Sequence, residues 1–287
     1  MNIDDLLAST ALQLAAAGIE DASLEARLLF QHLTAMTRSR LVLQGKQSVD
    51  DATLQQYRRL VAQRSQRIPL QHLTGSQEFW SMDFVVSPAV LIPRPETEFL
   101  LEHVFAACSL SSPISSALDM CTGSGVIAVV LARELGCRVT AVDISEAALK
   151  VAAENISRHQ ATDQITLVCS DLFAALNRNR KFDVIVSNPP YIADDQIGHL
   201  EPEVSRAEPR LALSGGTTGL RLIEQIAVRA EGFLQPGGWI FLEIGADQKD
   251  TVTALFKDSC RQYDEVRVID DWSRRPRVLQ ARYAPHS

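Results

Sequence analysis

Apolar residues in the first 75 positions recur at spacings of three and four, which is the period of an amphipathic helix. Such residues follow Ser23 and Ser48, so each serine is predicted to cap the start of a helix. No strand-like alternation interrupts this stretch of sequence. Residues 1–75 are therefore predicted to form a small helical domain.

The pattern changes in EFWSMDFVVSPAVLIPRPETE, residues 78–98. Short apolar runs at 79–86 and 90–92 flank Ser87-Pro88 and predict two short strands. In PRPETE, the prolines are predicted to start a helix and Arg94 to pair with a carboxylate. We assign residues 76–95 to a hairpin or linker.

From residue 96 onward, helix-like and strand-like segments alternate, which is typical of a parallel sheet with crossover helices. The predicted helices are 96–108, 126–136, 145–159 and 219–234. The predicted strands are 116–120, 138–143, 165–171, 182–188 and 239–245, followed by an antiparallel pair at 265–270 and 277–283. The tripeptide PGG, residues 236–238, is predicted to turn the chain before the fifth strand. The fold class is thus α/β, a doubly wound sheet with an antiparallel edge strand, and this domain spans 96–287.

The composition is that of a globular protein, with 46% hydrophobic and 22% charged residues among 287. That length favours one large and one smaller domain. No apolar stretch reaches the roughly 18 residues that span a bilayer, and the opening MNIDDLLAST carries acids where a signal peptide carries bases. We expect a cytoplasmic protein with no membrane partner. The five cysteines are widely spread without metal-ligand spacing, so no metal site is expected.

The net charge of −7 argues against duplex nucleic acid as the main partner, because phosphate contacts require a basic surface. The charge is unevenly distributed, however, since residues 38–67 carry seven basic and two acidic residues, a net +5. The basic residues are Arg38, Arg40, Lys46, Arg58, Arg59, Arg64 and Arg67. Such a run forms either a solvated helix face or a docking surface for an acidic protein.

The sequence CTGSGVIA places Gly123, Gly125 and Ala128 in a GxGxxA pattern between a predicted strand and a predicted helix. Glycines let the backbone turn tightly and approach a ligand, and the helix N-terminus offers free N–H groups. The next strand ends in Asp143, where a carboxylate can accept hydrogen bonds from two ribose hydroxyls. These features fit either a dinucleotide or another adenosyl cofactor.

The next two predicted strands also end in polar residues. Asp171 lies in SDLF, where its carboxylate would bind an adenine amine while Leu172 and Phe173 cover the ring. Asn188 opens NPPY, in which two prolines have fixed φ angles and no N–H, so the loop is stiff and rich in acceptors. We expect these residues beside the glycine loop, because the carboxyl ends of parallel strands share one edge of the sheet. Glu243 ends the fifth strand, either near this site or in a structural hydrogen bond.

The glycine loop, Asp143, SDLF and NPPY, in this order, resemble a class I S-adenosylmethionine-dependent methyltransferase. NPPY resembles the motif of enzymes that methylate a planar nitrogen, in adenine, cytosine or the glutamine side chain. LIPRPETE (91–98), AEPRLALSGG (207–216) and the helical N-terminal domain together resemble the PrmC/HemK family, which methylates the glutamine of the GGQ motif in peptide chain release factors. The resemblance covers nearly the whole chain.

This resemblance implies a Rossmann-like methyltransferase domain, S-adenosyl-L-methionine as cofactor, release factors as protein partners and a substrate-docking role for residues 1–75. The implied catalytic residues are Asn188, Pro189 and Tyr191. The implied cofactor-binding residues are Cys121, Thr122, Gly123, Ser124, Gly125, Asp143, Asp171, Leu172 and Asn188. The implied substrate-binding residues are Asn188, Pro189, Pro190 and Tyr191.

The sequence departs from the family pattern at a few positions. Cys121 stands where many relatives have glycine, Ala207 where phenylalanine is common, and Thr217-Thr218-Gly219 where an acidic-glycine pair is usual. CTGSG and SDLF also resemble the sister enzymes that methylate a glutamine in a ribosomal protein, whereas PRPETE favours the release-factor branch. Parts of the sequence would also suit an adenine-N6 nucleic-acid methyltransferase, an NAD-dependent oxidoreductase or a non-catalytic helical docking protein.

Overall fold

The computed structural model describes residues 1–109, 113–260 and 262–285 of the chain. Two compact units are distinguished, one comprising Met1–Ser76 with Glu201–Ala207 and the other comprising Gln77–Leu200 with Glu208–Ser287. The first unit therefore includes a short segment from much later in the chain, which no sequence pattern indicated.

Helices form most of the first unit: α1 (Ile3–Ala16), α2 (Ala22–Thr34), α3 (Arg38–Gln44), α4 (Asp51–Ser65) and α5 (Leu70–Thr74). In their shared core, the ring of Tyr57 packs edge-on against Phe30, with centroids 5.3 Å apart. The Tyr57 hydroxyl donates a hydrogen bond to the Ala26 carbonyl at 2.8 Å, which satisfies the polar end of a buried ring. The predicted helical N-terminal domain is confirmed.

The predicted helix caps are wrong by two residues. Helix α2 begins after Asp21, so Ser23 lies inside it. Helix α4 begins after Asp50, whose side chain accepts a hydrogen bond from the Thr53 N–H at 2.9 Å. Ser48 forms an isolated β-bridge with Asn2 instead. An aspartate serves better than serine here because its charge also interacts favourably with the helix dipole.

An ion-pair cluster holds the later segment Glu201–Ala207, called the inserted segment below, within the first unit. Arg64 is buried and contacts Glu25 Oε2 at 2.5 Å and Glu203 Oε1 at 2.8 Å. Arg67 contacts the same Glu203 oxygen at 2.6 Å and Glu201 Oε2 at 2.8 Å. The basic stretch 38–67 is therefore not one uniform face, because Arg64 and Arg67 are committed to carboxylates of their own unit.

A hairpin of β1 (Ser76–Phe79) and β2 (Met82–Val85) precedes the main sheet. The sheet strands are β3 (Ser116–Met120), β4 (Arg138–Asp143), β5 (Ile165–Cys169), β6 (Phe182–Ser187), β7 (Leu234–Glu243), β8 (Tyr263–Asp270) and β9 (Pro276–Tyr283). Across the described residues their order is β5-β4-β3-β6-β7-β9-β8. Strands β3 to β7 are parallel, and β9 runs antiparallel to both β7 and β8. The predicted doubly wound sheet with an antiparallel edge is confirmed.

The remaining helices are α6 (Pro95–Cys108), α7 (Val126–Leu135), α8 (Glu146–Arg158), α9 (Pro202–Ser205), α10 (Arg210–Leu213), α11 (Arg221–Ala230) and α12 (Lys249–Ala254). Both faces of the sheet are buried, since Val184 and Val186 of β6 pack into one core while Ile185 packs into the other. This double burial explains the continuous apolar run in FDVIVS. Because β3, β4, β5 and β6 run parallel, their carboxyl ends lie at one edge of the sheet.

Three predicted local features are wrong. The run 79–86 is not one strand, because Trp80 and Ser81, with φ angles of +54° and +55°, turn the chain between β1 and β2. Residues 90–92 form no strand, because Pro88, Pro93 and Pro95 remove hydrogen-bond donors around them and the Ile92 N–H donates to a Glu208 carboxylate oxygen. PGG does not precede the fifth strand but lies within it. The register of β7 against β6 shifts there, and Gly237 adopts a φ of +80°, so the tripeptide forms an irregularity in the strand.

Candidate active site

A cavity of about 300 Å³ lies at the carboxyl edge of the parallel strands. It is lined by the segments that follow β3, β4, β5 and β6, which is where the polar strand-end residues were predicted to meet. The predicted site residues that line it are Cys121, Thr122, Gly123, Ser124, Asp143, Asp171, Leu172, Asn188 and Pro190. Gly125, Pro189 and Tyr191 are described but do not line it.

The glycine loop is shaped by left-handed backbone conformations. Gly123 and Gly125 have φ angles of +56° and +82°. A Cβ at Gly125 would lie 3.1 Å from the Cβ of Ala152 on α8, so glycine is required there for packing as well as for backbone conformation. Cys121 also has a positive φ, +63°, which costs a non-glycine residue about 1–2 kcal/mol. Glycine, the residue that the family pattern predicts here, would adopt this φ without that cost.

Asp119 lies beneath this loop and was missed by the sequence interpretation. It is fully buried, and its Oδ2 accepts hydrogen bonds from the Thr122 hydroxyl at 2.5 Å and from the Ala128 N–H at 3.0 Å. Burial raises the pKa of Asp119 to about 7. The carboxylate thus connects the end of β3 to the start of α7 and holds the loop between them.

Asp143 is held in place by backbone donors. Its Oδ2 accepts a hydrogen bond from the Gly123 N–H, and its Oδ1 accepts one from the Ser145 N–H, both at 2.9 Å. Burial raises its pKa, and the backbone donors oppose that shift. Because each carboxylate oxygen has a second acceptor site, Asp143 is still able to accept hydrogen bonds from two hydroxyl groups.

Apolar and acidic groups that follow β4 and β5 also line the cavity. Ile144, 51% exposed, and Leu172, with a φ of +49°, are apolar lining residues, and Asp171 is an exposed acid beside them. Ile144 was missed because a single isoleucine after Asp143 has no sequence signature. The expectation that Phe173 covers a ligand is wrong, since its ring stacks on Phe233 in the core at 4.8 Å.

A chain of hydrogen bonds joins Asn188 to Glu243 at the end of β7. Asn188 Nδ2 donates to Thr97 Oγ1 at 3.0 Å, and the Thr97 hydroxyl donates to Glu243 Oε2 at 2.8 Å. The Tyr191 hydroxyl donates to the other Glu243 oxygen at 3.0 Å. Burial raises the pKa of Glu243, and burial together with the Glu243 charge raises that of Tyr191. Glu243 therefore lies beside the NPPY loop, together with Thr97, for which the sequence pattern indicated only a place near a helix start.

The PRPETE segment has both features predicted for it. Pro95 begins α6, and Arg94 contacts the buried Glu208 carboxylate at 2.7 Å. Leu91 and Pro93 line the cavity, as do Leu211 and Ala212, which follow Glu208 in the chain. The ion pair thus joins two segments of the cavity wall.

The chemistry of the cavity fits an adenosyl group. Asp143 offers acceptors for the ribose diol, Ile144 and Leu172 offer apolar surface for adenine, and Asp171 offers an acceptor for the exocyclic amine. Open space surrounds the Cβ position of Gly123, so a ligand is able to approach the backbone there.

No helix of the described residues is long and apolar enough to cross a membrane.

Comparison with solved structures shows which known fold this chain shares. The chain superposes on a methyltransferase from Pyrococcus furiosus with a TM-score of 0.53 and 20% identity, over 72% of this chain and 91% of that one. Together with this likeness, three features define a class I methyltransferase: the sheet order, the glycine loop and the acidic strand end. The methyl donor of this class is S-adenosylmethionine.

Sequence comparison identifies the family. Models of the PrmC N-terminal domain and the methyltransferase small domain match residues 5–75 and 95–215. The chain is 40% identical over 282 residues to a release factor glutamine methyltransferase from Moorella thermoacetica, covering 98% of each. It is 41% identical over 244 residues to another from Geobacter sulfurreducens, covering 85% of this chain and 84% of that one. The chain belongs to the release factor glutamine methyltransferase family.

Proposed function

We propose that the protein transfers the methyl group of S-adenosylmethionine to the side-chain amide N5 of the glutamine in the GGQ motif of peptide chain release factors. The observation that carries this proposal is the position of Asn188, which lines the same cavity as Asp143 and the glycine loop. Its family relatives bear the corresponding name. We further propose that it works in the cytoplasm, where release factors act.

The cofactor residues are proposed from their places in the cavity. Asp143 accepts the ribose hydroxyls, Asp171 the adenine amine, and Leu172 contacts the adenine ring, with Ile144 as a further apolar contact. The backbone of Cys121, Thr122, Gly123 and Ser124 faces the methionine portion, and Gly125 lets α8 pack against this loop. When bound, S-adenosylmethionine supplies an electrophilic methyl group on a positively charged sulfur.

An amide nitrogen is a weak nucleophile because its lone pair is delocalised into the carbonyl group. Asn188 Oδ1 and the Pro189 carbonyl are proposed to accept the two N–H bonds of the substrate amide, so that its lone pair points toward the methyl group. Orientation of this kind contributes roughly 7–11 kcal/mol in the best intramolecular cases. Acceptor oxygens near the nitrogen also help more in the transition state, because positive charge develops there.

The rest of the NPPY loop is proposed to hold these acceptors in place. Pro189 and Pro190 are buried and have fixed φ angles, so the loop is ordered before the substrate arrives. Tyr191 is proposed to stack on the flat amide, while its hydroxyl is held by Glu243. NPPY contains no histidine or cysteine, and none is required, because the alkylated amide readily loses its proton to water.

The helical unit is proposed to dock the release factor. Arg58 and Arg59 on α4, and Arg38 and Arg40 on α3, are exposed, and these are the members of the basic stretch that remain available to an acidic partner. Val42 and Leu43 on α3 add apolar surface, at 78% and 84% exposure. No sequence-specific recognition of nucleic acid is proposed.

The test is mass spectrometry of purified release factor and ribosomal proteins after incubation with the protein and labelled cofactor. We expect one added methyl group on the GGQ glutamine with the wild type, and a loss of at least about 100-fold in rate with Asn188→Ala, whose cofactor affinity by calorimetry stays measurable. A label on a ribosomal-protein glutamine instead would favour that second substrate class. Near-normal activity of Asn188→Ala would refute the role of Asn188.

A further inference from the structure

Glu243 is a buried acid with hydrogen-bond partners in and beside the NPPY loop. It ends β7, is 1% exposed, and has hydrophobic neighbours along the strand. Burying a carboxylate costs several kcal/mol unless hydrogen bonds and charges compensate. Its compensation comes from the Thr97 hydroxyl, the Tyr191 hydroxyl and the positive charge of Arg277. Tyr191 belongs to the NPPY loop, and Thr97 and Arg277 each contact a residue of that loop.

The hydrogen bonds of this group can be assigned from the chemistry of the partners. An ionised carboxylate only accepts hydrogen bonds, so the single proton of the Thr97 hydroxyl is directed to Glu243 Oε2 at 2.8 Å. The Thr97 oxygen is then left only as an acceptor. Its partner at 3.0 Å must be the amide nitrogen of Asn188 and not the amide oxygen. The orientation of the Asn188 amide is therefore determined by the proton of the Thr97 hydroxyl, which is directed to Glu243.

We propose that Glu243, acting through Thr97, is a positioning residue that orients the Asn188 amide with Oδ1 available to the substrate nitrogen. The proposal rests on the proposed function, in which that oxygen is the acceptor for the substrate –NH2. A flipped amide would present an N–H donor to another N–H donor and would lose the hydrogen bond. Thr97 lines the cavity and Glu243 does not, and in this proposal both act on the substrate through Asn188.

The same carboxylate also fixes the far end of the loop. Tyr191 donates to Glu243 Oε1 at 3.0 Å, and Arg277 Nη1 lies 3.4 Å from the Tyr191 hydroxyl. Arg277 is in turn held by Asp271 Oδ2 at 3.4 Å. Asn188 and Tyr191 thus share one anchor. Burial raises the pKa of Glu243, whereas the Thr97 and Tyr191 hydroxyls and the positive charge of Arg277 oppose that shift and favour the ionised form that this assignment requires.

The first test compares Thr97→Val with Thr97→Ser. Valine has the shape of threonine but neither accepts from Asn188 nor donates to Glu243, whereas serine does both. We expect Thr97→Val to lower kcat on the order of 100-fold, with the Kd for S-adenosylmethionine changed by less than about 2-fold, and Thr97→Ser to recover most of that loss. Unchanged kcat in Thr97→Val would overturn the proposal, as would equal losses in both variants.

A matched control is available in β4. Thr140 is fully buried, and its Oγ1 has no hydrogen-bond partner in the described part of the chain. Thr140→Val therefore makes the same substitution at the same burial without removing a hydrogen bond, and we expect kcat to stay within about 2-fold of the wild type. A loss in Thr140→Val equal to that in Thr97→Val would show that the effect is general core disruption and would overturn the proposal.

A second readout does not depend on activity. In protein labelled with 15N-asparagine and free of cofactor, the side-chain amide signal of Asn188 is identified by its loss in Asn188→Ala. We expect its exchange with solvent to be slow in the wild type and in Thr97→Ser, and at least about 10-fold faster in Thr97→Val and Glu243→Gln. Equal exchange in all four proteins would refute the orienting role. If the wild type methylates no release factor, the proposed function fails, while this measurement still tests the orientation of Asn188.

Discussion

At the scale of single residues, two acids at the carboxyl edge of the parallel strands have different roles. Asp143 is still able to accept hydrogen bonds from a ligand, because each oxygen has one backbone donor. Asp119 uses one oxygen for Thr122 and Ala128, and its Oδ1 has no partner among the described residues. An unpaired oxygen in a buried carboxylate favours the protonated form, which agrees with the direction of its raised pKa.

Asp119→Asn should therefore change how stability depends on pH. Burial raises the pKa of Asp119 from 3.8 to about 7, so the native state holds this proton more tightly than the unfolded state. The stability that this proton confers is fully present below pH 3.8 and is lost as the pH rises through about 7, with a slope of up to about 1.4 kcal/mol per pH unit. Asparagine has no ionisable proton, so the variant lacks this pH-dependent contribution to stability. Urea unfolding of both proteins from pH 5 to pH 8 should show the variant gaining stability relative to wild type, and parallel curves would contradict the assignment.

At the scale of elements, the packing of α7 against α8 shapes the glycine loop. Asn155 of α8 donates to the Ser124 carbonyl and to the Val85 carbonyl, both at 2.9 Å, and accepts from the Val85 N–H at 2.7 Å. Ala152, one turn earlier on α8, lies against Gly125. One helix thus contacts both the β1–β2 hairpin and the loop that lines the cavity. The cavity depends on close contact between elements as well as on its lining residues.

Gly125→Ala should be more destabilising than Gly136→Ala. Both glycines adopt positive φ at the ends of α7, so alanine costs about 1 kcal/mol at either position for the backbone alone. At Gly125 the new Cβ also meets Ala152 at 3.1 Å, whereas nothing lies within 4 Å of a Cβ at Gly136. We expect a further loss of about 1–3 kcal/mol at Gly125 by urea unfolding, with weaker cofactor binding. Equal losses at both sites would show that the contact with α8 is unimportant.

At the scale of the whole molecule, the chain has a net charge of −7, yet the helical unit carries an exposed basic surface. Arg64 and Arg67 hold the inserted segment through Glu203 and are not free to meet a partner. Arg58 and Arg59 are exposed and carry no ion pair among the described residues. A docking test should therefore change the exposed pair and leave Arg64 intact, because removing a buried ion-pair partner would unfold the unit rather than weaken docking.

Arg58→Glu with Arg59→Glu should raise KM for intact release factor on the order of 10-fold at low salt, and leave KM for a short GGQ peptide unchanged. The reason is that only the intact factor reaches the helical unit in the proposed function. The control is the same charge change at Arg138 and Arg178, two exposed residues of the other unit. Equal effects on factor and peptide, or equal effects of the two double variants, would dismiss the docking surface.

The active-site edge could be predicted from sequence because its determinants are local. Each parallel strand is read from its own apolar run, and the residue after it lies at the shared carboxyl edge, so Gly123, Asp143, Asp171 and Asn188 could be grouped without coordinates. Helix caps and the supposed strand at 90–92 were wrong because several local candidates compete there. Asp50 prevails as the cap of α4 through the nearby Thr53 N–H, whereas the outcome at 90–92 depends on Glu208, a hydrogen-bond partner from elsewhere in the chain.

By itself, the sequence determined the two kinds of domain, the alternation of strands and helices, and the residue types at the ends of the strands. Only the tertiary structure decided what holds those residues in place. Thr97 and Glu243 are 146 positions apart, as Arg64 and Glu203 are 139 positions apart. The periodicities of helices and strands relate residues a few positions apart, so no sequence pattern indicates which distant carboxylate receives which proton. That pairing is set by the packing of the folded chain.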